Sequence, residues 1–179
     1  MNRQPILDGE RLLLRPLVAE DWAALYGVAS DPLIWAIHPA HDRWQKPVFR
    51  AFFDDALAQG GALAVFDKAG GVLVGSSRFQ NYDPALGGSV EIGWTFLARS
   101  HWGGGYNAEM KQAMLRHALQ YVARVRFVVG AGNMRSRRAM EKIGGMLTGV
   151  VEQRLMAGQV VPHVIYEVTC GSFAMGPLA

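Results

Sequence analysis

Three consecutive glycines, Gly103-Gly104-Gly105, separate an apolar segment typical of a strand from a segment with helical periodicity. The first turn of a helix carries backbone N–H groups without intrahelical partners, and the helix macrodipole adds partial positive charge there. Glycines allow the backbone to approach phosphate oxygens because no Cβ atom intervenes. Residues 102–107 are therefore a candidate anion-binding site, although a loop that only needs a flexible backbone would have the same glycines.

Two common nucleotide-binding patterns do not fit this turn. A P-loop closes with Gly-Lys-Ser or Gly-Lys-Thr, whereas Gly105 is followed by Tyr106 and Asn107. A dinucleotide-binding fold places its glycines after the first strand of a βαβ unit, and this turn comes late in the chain. The pattern therefore favours an anion of another kind.

Glu91 is the candidate proton acceptor. It lies in the otherwise apolar segment 90–94, where a solvated charge is not the expected state. Partly buried carboxylates concentrate at functional sites, which favours a role in catalysis. The alternatives are that Glu91 points outward from the sheet or pairs with an arginine.

The elements that position these residues follow from hydrophobic periodicity and from turn residues. Strands are predicted over residues 11–17, 62–67, 72–79, 89–97, 124–130, 149–156 and 161–169, the last two forming a hairpin about residues 157–159. Helices are predicted from Glu20-Asp21 to Ser30-Asp31-Pro32 and over residues 47–58, 107–122 and 136–143, with residues 33–47 irregular. This order predicts a single α/β domain over residues 1–179, with one sheet and helices on both faces.

Composition and charge narrow the classes of function. The formal net charge is +3, and six basic residues crowd one region: Arg124, Arg126, Arg135, Arg137, Arg138 and Lys142. Such a cluster indicates an anionic ligand, but no nucleic-acid-binding motif accompanies it, so nucleic acid is not the favoured partner. No apolar run is long enough for a membrane span, and the N-terminus lacks the pattern of a signal peptide. The single cysteine, Cys170, cannot form an internal disulfide, which favours a cytoplasmic location.

Several segments, taken in order, resemble the GNAT superfamily of N-acetyltransferases, and within it the ribosomal-protein-alanine acetyltransferase (RimJ/RimL-type) branch. They are residues 11–17 with Glu20 and Asp21, residues 91–97, residues 102–111, residues 133–144 and the end of the final hairpin at residues 164–168. The resemblance implies a GNAT-like mixed, mostly antiparallel sheet with a splayed central strand pair. It also implies an enzyme that moves an acetyl group from acetyl-CoA to an amine, with no metal.

The resemblance assigns the cofactor contacts residue by residue. The strand that ends at Phe96 and Leu97 would bind the pantetheine arm, and the amides of residues 102–107 would cradle the diphosphate. Asn133 would contact the arm, and Arg137 or Arg138 would face the adenosine 3′-phosphate. The full set implied for the cofactor is Phe96, Leu97, Trp102, Gly103, Gly104, Gly105, Tyr106, Asn107, Asn133, Ser136 and Arg138.

This sequence departs from the family pattern at several positions. Ser100 replaces the usual glutamine or arginine three residues before the first glycine, and Gly145 replaces an aromatic residue. Met140 stands where many relatives have a tyrosine that acts as general acid. Ser136 matches a serine that the RimL-type branch is thought to use near the thiol, and its alternative role is to cap the helix that begins there.

The sequence does not identify the amine acceptor. The resemblance places the acceptor pocket near Trp35, His38, His41, Trp44, Phe79 and Tyr82. It favours a protein N-terminus, with a small-molecule amine as the other class of acceptor. Two other hypotheses remain: a non-catalytic acyl-CoA sensor, and association with RNA or the ribosome through the arginine cluster. Exposed strand edges make a homodimer plausible.

Overall fold

A computed structural model describes residues 1–179. Its strands are β1 (Leu7–Asp8), β2 (Leu12–Pro16), β3 (Ala62–Asp67), β4 (Val72–Asp83), β5 (Ser89–Leu97), β6 (Arg124–Gly130), β7 (Met146–Met156) and β8 (Gln159–Thr169). Its helices are α1 (Trp22–Ala29), α2 (Pro32–Trp35), α3 (Lys46–Gln59), α4 (Tyr106–Ala118), α5 (Met134–Lys142) and α6 (Cys170–Ala174). No helix combines the length and the apolar character needed to cross a lipid bilayer.

The eight strands form one sheet in the order β1-β2-β3-β4-β5-β6-β8-β7. All neighbouring strands are antiparallel except β5 and β6, which are parallel. A parallel pair needs a crossover connection, and α4 supplies it between these two strands. The predicted mixed, mostly antiparallel sheet is confirmed.

Helices cover both faces of the sheet, because alternate residues of each strand carry apolar side chains to opposite sides. On the face covered by α4 and α5, called the α4 face, Val90 and Ile92 of β5 join the larger apolar core with Met110 and Met114. On the opposite face, called the α3 face, Phe96 packs in a smaller core with residues of α1, α2 and α3. The predicted helices on both faces are confirmed.

The central parallel pair opens into a splayed gap. β5 and β6 are paired only from Ser89 with Arg124 to Glu91 with Arg126, and the strands diverge beyond that point. β5 also contains a bulge, since Trp94 has φ of 53° and its register with β4 shifts there. The edge of β5 from Ile92 to Leu97 therefore has no strand partner on the β6 side, as the family resemblance implied.

Several boundaries differ from the sequence-based predictions. α4 ends at Ala118 rather than residue 122, so Tyr121 lies in the following turn and is exposed. The segment expected to be irregular begins with part of a short helix, α2. Asp31 caps this helix by accepting the N–H of Leu33. α5 begins at Met134 rather than Ser136, because Asn133 provides its N-cap. The two-residue strand β1 and the short helix α6 were not predicted.

Candidate active site

A cleft of about 650 Å³ occupies the gap between β5 and β6. Its walls come from the unpaired part of β5, residues 101–103 and 105, the first turns of α4, the second half of β6 and much of α5. Residues of α2 and the segment after it close one end. The cleft thus has one side formed by α4 and α5 and another formed by α2.

The glycine loop, residues 102–105, leads directly into α4. Gly103 has φ of 80° and Gly105 has φ of 83°, a backbone conformation that side chains disfavour. Arg11 fixes the loop by donating from Nη1 to the carbonyl oxygen of Gly104 at 2.8 Å, and its Nε donates to Glu109 at 2.8 Å. The Glu109 carboxylate also accepts the backbone N–H of Leu12, so the start of α4 is held against β2.

Trp102 connects the glycine loop to the cleft. Its indole N–H donates to the carbonyl oxygen of Leu97 at 3.0 Å, and the guanidinium of Arg135 lies 4.2 Å from the centre of its ring. Arg138 and Lys142 of α5 also line the cleft. Burial lowers the pKa of Arg135. These cations line the same cleft as the N-terminal turn of α4, an arrangement that suits a ligand with several negative charges.

α5 presents its first turn to the cleft. Asn133, which is buried, caps the helix by accepting the N–H of Ser136 at 3.2 Å. Ser136 therefore lies inside the first turn and is not the capping residue, which removes the capping alternative for its hydroxyl. The structure also separates two arginines: Arg138 lines the cleft, whereas Arg137 donates to the Tyr166 hydroxyl and to the carbonyl oxygen of Ala131.

Most of the residues predicted for the cofactor come together in this cleft. Those that line it are Phe96, Leu97, Trp102, Gly103, Gly105, Asn107, Asn133, Ser136 and Arg138. Gly104 and Tyr106 are outside the lining. Gly104 is bound to Arg11, and the Tyr106 ring packs beneath the guanidinium of the same arginine at 4.3 Å.

Glu91, the predicted base, lies on the α3 face and outside the lining of the cleft. It is only 4% exposed, and its carboxylate accepts from Asn81 at 2.8 Å and from both terminal nitrogens of Arg154 at 3.3 Å. The alternative of an arginine partner is therefore what the structure shows. Burial acts to lower the pKa of Arg154, but its hydrogen bonds and ion pairs with Glu91 and Glu152 outweigh burial and raise the pKa.

The residues predicted for the acceptor pocket separate into two groups. Trp35 and His38 line the cleft, whereas His41, Trp44, Phe79 and Tyr82 do not. Phe79 is fully buried in the core of the α4 face, against the ring of His117, so its assignment to a pocket was wrong. Burial, followed by nearby cations, lowers the pKa of His38 to about 3, so this ring is neutral near pH 7.

Lys111 is a cleft residue that the sequence analysis missed. It is 2% exposed, and its Nζ donates to Thr95 at 2.6 Å and to Ser77 at 3.2 Å. Burial lowers its pKa to about 7. A signal was present in the sequence, because Lys111 precedes Met114 and Leu115 by three and four residues and so shares their helix face.

The cleft fits acetyl-CoA by the chemistry of its donors. An unpaired strand edge can bind the amides of a pantetheine arm, and the loop and first turn of α4 offer N–H groups to a diphosphate. A Cβ on Gly103 would meet no atom within 4 Å, which shows open space at the loop. Arg135, Arg138 and Lys142 supply positive charge along the same wall.

Several solved structures share this fold. An acetyltransferase of the GNAT family from Bacillus anthracis is 23% identical, with a TM-score of 0.75 over 92% of this chain and 98% of that chain. Mycobacterium smegmatis RimJ, in complex with CoA-disulfide, is 18% identical, with a TM-score of 0.77 over 98% and 92% of the two chains. Spermidine N-acetyltransferase from Vibrio cholerae, in complex with CoA and spermine, is 15% identical, with a TM-score of 0.70 over 92% and 98%.

The sequence itself matches a family model. The model described as an acetyltransferase (GNAT) domain matches residues 11–146, which include β2, the unpaired edge of β5, the glycine loop and α5. The match extends over most of the chain and contains the walls of the cleft. The chain therefore belongs to the GNAT family of N-acetyltransferases.

Proposed function

We propose that this protein transfers the acetyl group of acetyl-CoA directly to a primary amine while both substrates occupy the cleft. The observation that carries the proposal is the unpaired edge of β5, residues 92–97, which opens onto a cleft that ends at the glycine loop and the N-terminus of α4. One continuous wall therefore offers strand-like hydrogen bonding followed by an anion site. An extended thioester with a charged diphosphate at one end matches that order.

The residues of the wall have separate roles in this proposal. Phe96 and Leu97 bind the pantetheine arm, and the amides of the glycine loop, Tyr106 and Asn107 receive the diphosphate. Arg138, which faces the cleft, is the candidate partner of the adenosine 3′-phosphate. A backbone N–H on the free edge, for which Leu97 is the candidate, stabilises the thioester oxygen as negative charge develops.

Two side chains at the start of α5, those of Asn133 and Ser136, line the cleft proposed for the pantetheine arm. Asn133 is buried with its oxygen committed to the helix cap, which leaves its amide N–H groups available to the pantetheine arm. The Ser136 hydroxyl is not needed as a cap and faces the same cleft, so it is a candidate for contact with the thiol. Together they hold the arm against the α5 side of the cleft.

The acceptor enters from the side formed by Trp35 and His38. Because the Glu91 carboxylate is bound by Arg154 and Asn81, the cleft has no free carboxylate to deprotonate an alkylammonium. An α-amino group, with a reference pKa of about 7.7–8.0, is partly neutral near pH 7 without such a base. This favours a protein N-terminus as acceptor, and with it the RimJ/RimL-type branch, over a small alkylamine.

An acceptor screen tests the proposal. Acetyl-CoA is mixed with a panel of N-terminal peptides, polyamines and amino acids, and release of the CoA thiol is followed together with the mass of the acceptor. We expect thiol release that depends on at least one peptide and adds one acetyl group at its α-amine. Tight CoA binding without thiol release for any amine would contradict the proposal.

A second candidate function is an acyl-CoA sensor without turnover. Two observations favour it: Met140 stands at the position of the tyrosine found in many relatives, and Glu91 is held in an ion pair. A sensor would bind acetyl-CoA and CoA with different affinities and change its stability with the acyl group. Calorimetric titration with both ligands, run beside the acceptor screen, distinguishes the two functions.

A further inference from the structure

Lys111 is a buried cation without a carboxylate partner. An ammonium group has three N–H donors, and the hydroxyls of Thr95 and Ser77 accept two of them. The third has no acceptor in the protein, and the residue lines the cleft. Burying a charge without a counter-ion is costly, so such a lysine exchanges its proton more readily than an exposed one.

The charged groups around Lys111 are directed elsewhere. Glu109, on the same helix, is paired with Arg11, and Glu91 of β5 points to the opposite face of the sheet. Arg135, Arg138 and Lys142 of α5, and His101 before the glycine loop, line the cleft without bonding to Lys111. β4 contributes Ser77, β5 contributes Thr95, and β6 contributes the ring of Phe127, whose centre lies 5.7 Å from Nζ. Burial is accordingly the only cause of its lowered pKa.

The place of Lys111 in the cleft identifies which substrate it meets. It projects from α4, five residues after the helix begins at Tyr106, into the cleft that Asn133 and Met140 also line. The glycine loop at the start of α4 fixes this as the acetyl-CoA side under the proposed function. Trp35 and His38, which face the acceptor, lie at the α2 end.

We propose that Lys111 is the proton donor to the sulfur of acetyl-CoA, an inference that rests on the proposed function. As the amine nitrogen bonds to the carbonyl carbon, the carbon–sulfur bond breaks and its electron pair stays on sulfur. Nζ gives a proton to that sulfur, which leaves neutral Lys111 and the free thiol. The proton lost by the acceptor nitrogen restores the ammonium through solvent, so the step is balanced without a further reactant.

This assignment explains why the cleft can function with Met140 in place of a tyrosine. A donor transfers a proton most effectively when its pKa lies near the operating pH, and burial of Lys111 brings its pKa to about 7. The reference pKa of a thiol, about 8.5, is higher, so transfer from Lys111 to a thiolate is downhill. Thr95, on β5 next to the bulge at Trp94, holds Nζ in place.

The direct test is the titration of the thiol of bound CoA, followed by the ultraviolet absorbance of the thiolate. While Lys111 is an ammonium, its charge favours the thiolate of the bound CoA, so we expect wild type to show part of the thiolate absorbance already near pH 7, whereas in Lys111→Met the thiol titrates in one step at higher pH. Lys46→Met, which removes an exposed lysine outside the cleft, is the matched control and is expected to titrate like wild type. Equal thiol titrations in wild type and Lys111→Met would overturn the proposal.

Kinetics provide the second readout. We expect Lys111→Met to lower kcat by roughly 10²-fold with little change in CoA affinity, and to abolish the decline of kcat at alkaline pH that deprotonation of Lys111 causes. Thr95→Val removes the hydroxyl that holds Nζ and should give a smaller decrease. Unchanged kcat and pH profile in Lys111→Met would exclude the donor role. If wild type bound CoA yet acetylated no amine, the proposed function would fail instead, and the thiol titration would still report on Lys111.

Discussion

A buried charged side chain lies on each face of β5, and the two side chains have different partners. On the α3 face, Glu91 is matched by Arg154 and Asn81, and Arg154 is shared with Glu152. On the α4 face, Lys111 meets only the hydroxyls of Thr95 and Ser77 and the cleft itself. The charge of Glu91 is therefore neutralised within the protein, whereas the charge of Lys111 is open to a ligand in the cleft.

This difference separates structural from chemical roles. A buried ion pair that is fully hydrogen-bonded holds elements in register and resists changes of protonation. An uncompensated buried lysine shifts its pKa towards neutrality, which places its proton transfer in the range where enzymes operate. The residue type alone would have suggested the reverse, since a buried glutamate is a frequent general base.

Lys111→Met is expected to have the largest effect, because it changes the stability of the protein as well as its rate of catalysis. Burial lowers the pKa of Lys111 from 10.5 to about 7, so between these values the unfolded chain binds a proton that the folded protein does not. The free energy of unfolding therefore rises with pH across this window. Below about pH 7 the folded protein is destabilised by the full cost of burying the charge. We expect the variant to be more stable than wild type near pH 6, by up to about 5 kcal/mol, and the difference to shrink as pH rises.

Urea unfolding at a series of pH values measures this effect. Lys68→Met, which removes an exposed lysine paired with Asp8, serves as the control and should show no such pH dependence. A stability difference between wild type and Lys111→Met that stays constant with pH would contradict the uncompensated state of Lys111.

Glu91→Gln addresses the other face. Glu91→Gln leaves Arg154 with Glu152 as its only charged partner, so we expect a loss of about 1–3 kcal/mol in the free energy of unfolding. Because Glu91 lies outside the cleft, we expect kcat to change by less than about tenfold. Chemical denaturation and steady-state kinetics measure the two effects, and a large loss of kcat in a stable variant would assign Glu91 to proton transfer after all.

Gly105→Ala examines the proposed anion site at the start of α4. The Cβ would lie 3.2 Å from Nη2 of Arg11, and φ of 83° strains any side chain there, at a cost of about 1–2 kcal/mol. We expect CoA binding to weaken by up to about tenfold in calorimetric titration. Gly149→Ala, with φ of 80° in β7 and no neighbour within 4 Å, has a similar backbone strain away from the cleft. Equal CoA affinity in both variants would remove the glycine loop from the binding site.

Asn133→Ala is expected to have the smallest effect. It removes the N-cap of α5, which costs about 1 kcal/mol in stability. Thr169→Ala removes the equivalent cap of α6, away from the cleft, and should cost a similar amount. We expect only Asn133→Ala to weaken CoA binding as well. Thermal unfolding with and without CoA compares the two, and identical shifts on adding CoA would show that Asn133 is only a cap.

The sequence was informative wherever local pattern decides structure. The glycine loop, the strand 89–97 and the periodicity of α4 were predicted because turn residues and apolar spacing act over short distances. The partners of Glu91 could not be predicted, since Arg154 is 63 residues away and reaches it only through the fold of the β7–β8 hairpin.

Lys111 was missed for a different reason. Its neighbours Met110 and Met114 defined an apolar stripe, and a lysine beside a stripe is normally solvated. Only the packing of α4 onto β4, β5 and β6 shows that position 111 is inside. The choice between Arg137 and Arg138 likewise depends on how α5 is rotated about its axis when it packs on the sheet, which local sequence pattern does not determine.

The central claim is that Lys111 exchanges its proton near neutral pH while it faces the cleft. The chain has four lysines, Lys46, Lys68, Lys111 and Lys142, so their side-chain signals can be resolved in a lysine-labelled sample and assigned with Lys111→Met. We expect Lys111 to titrate with a pKa of about 7 by nuclear magnetic resonance, well below the reference value of a lysine. Titration of Lys111 near the lysine reference pKa of about 10.4 would contradict the account.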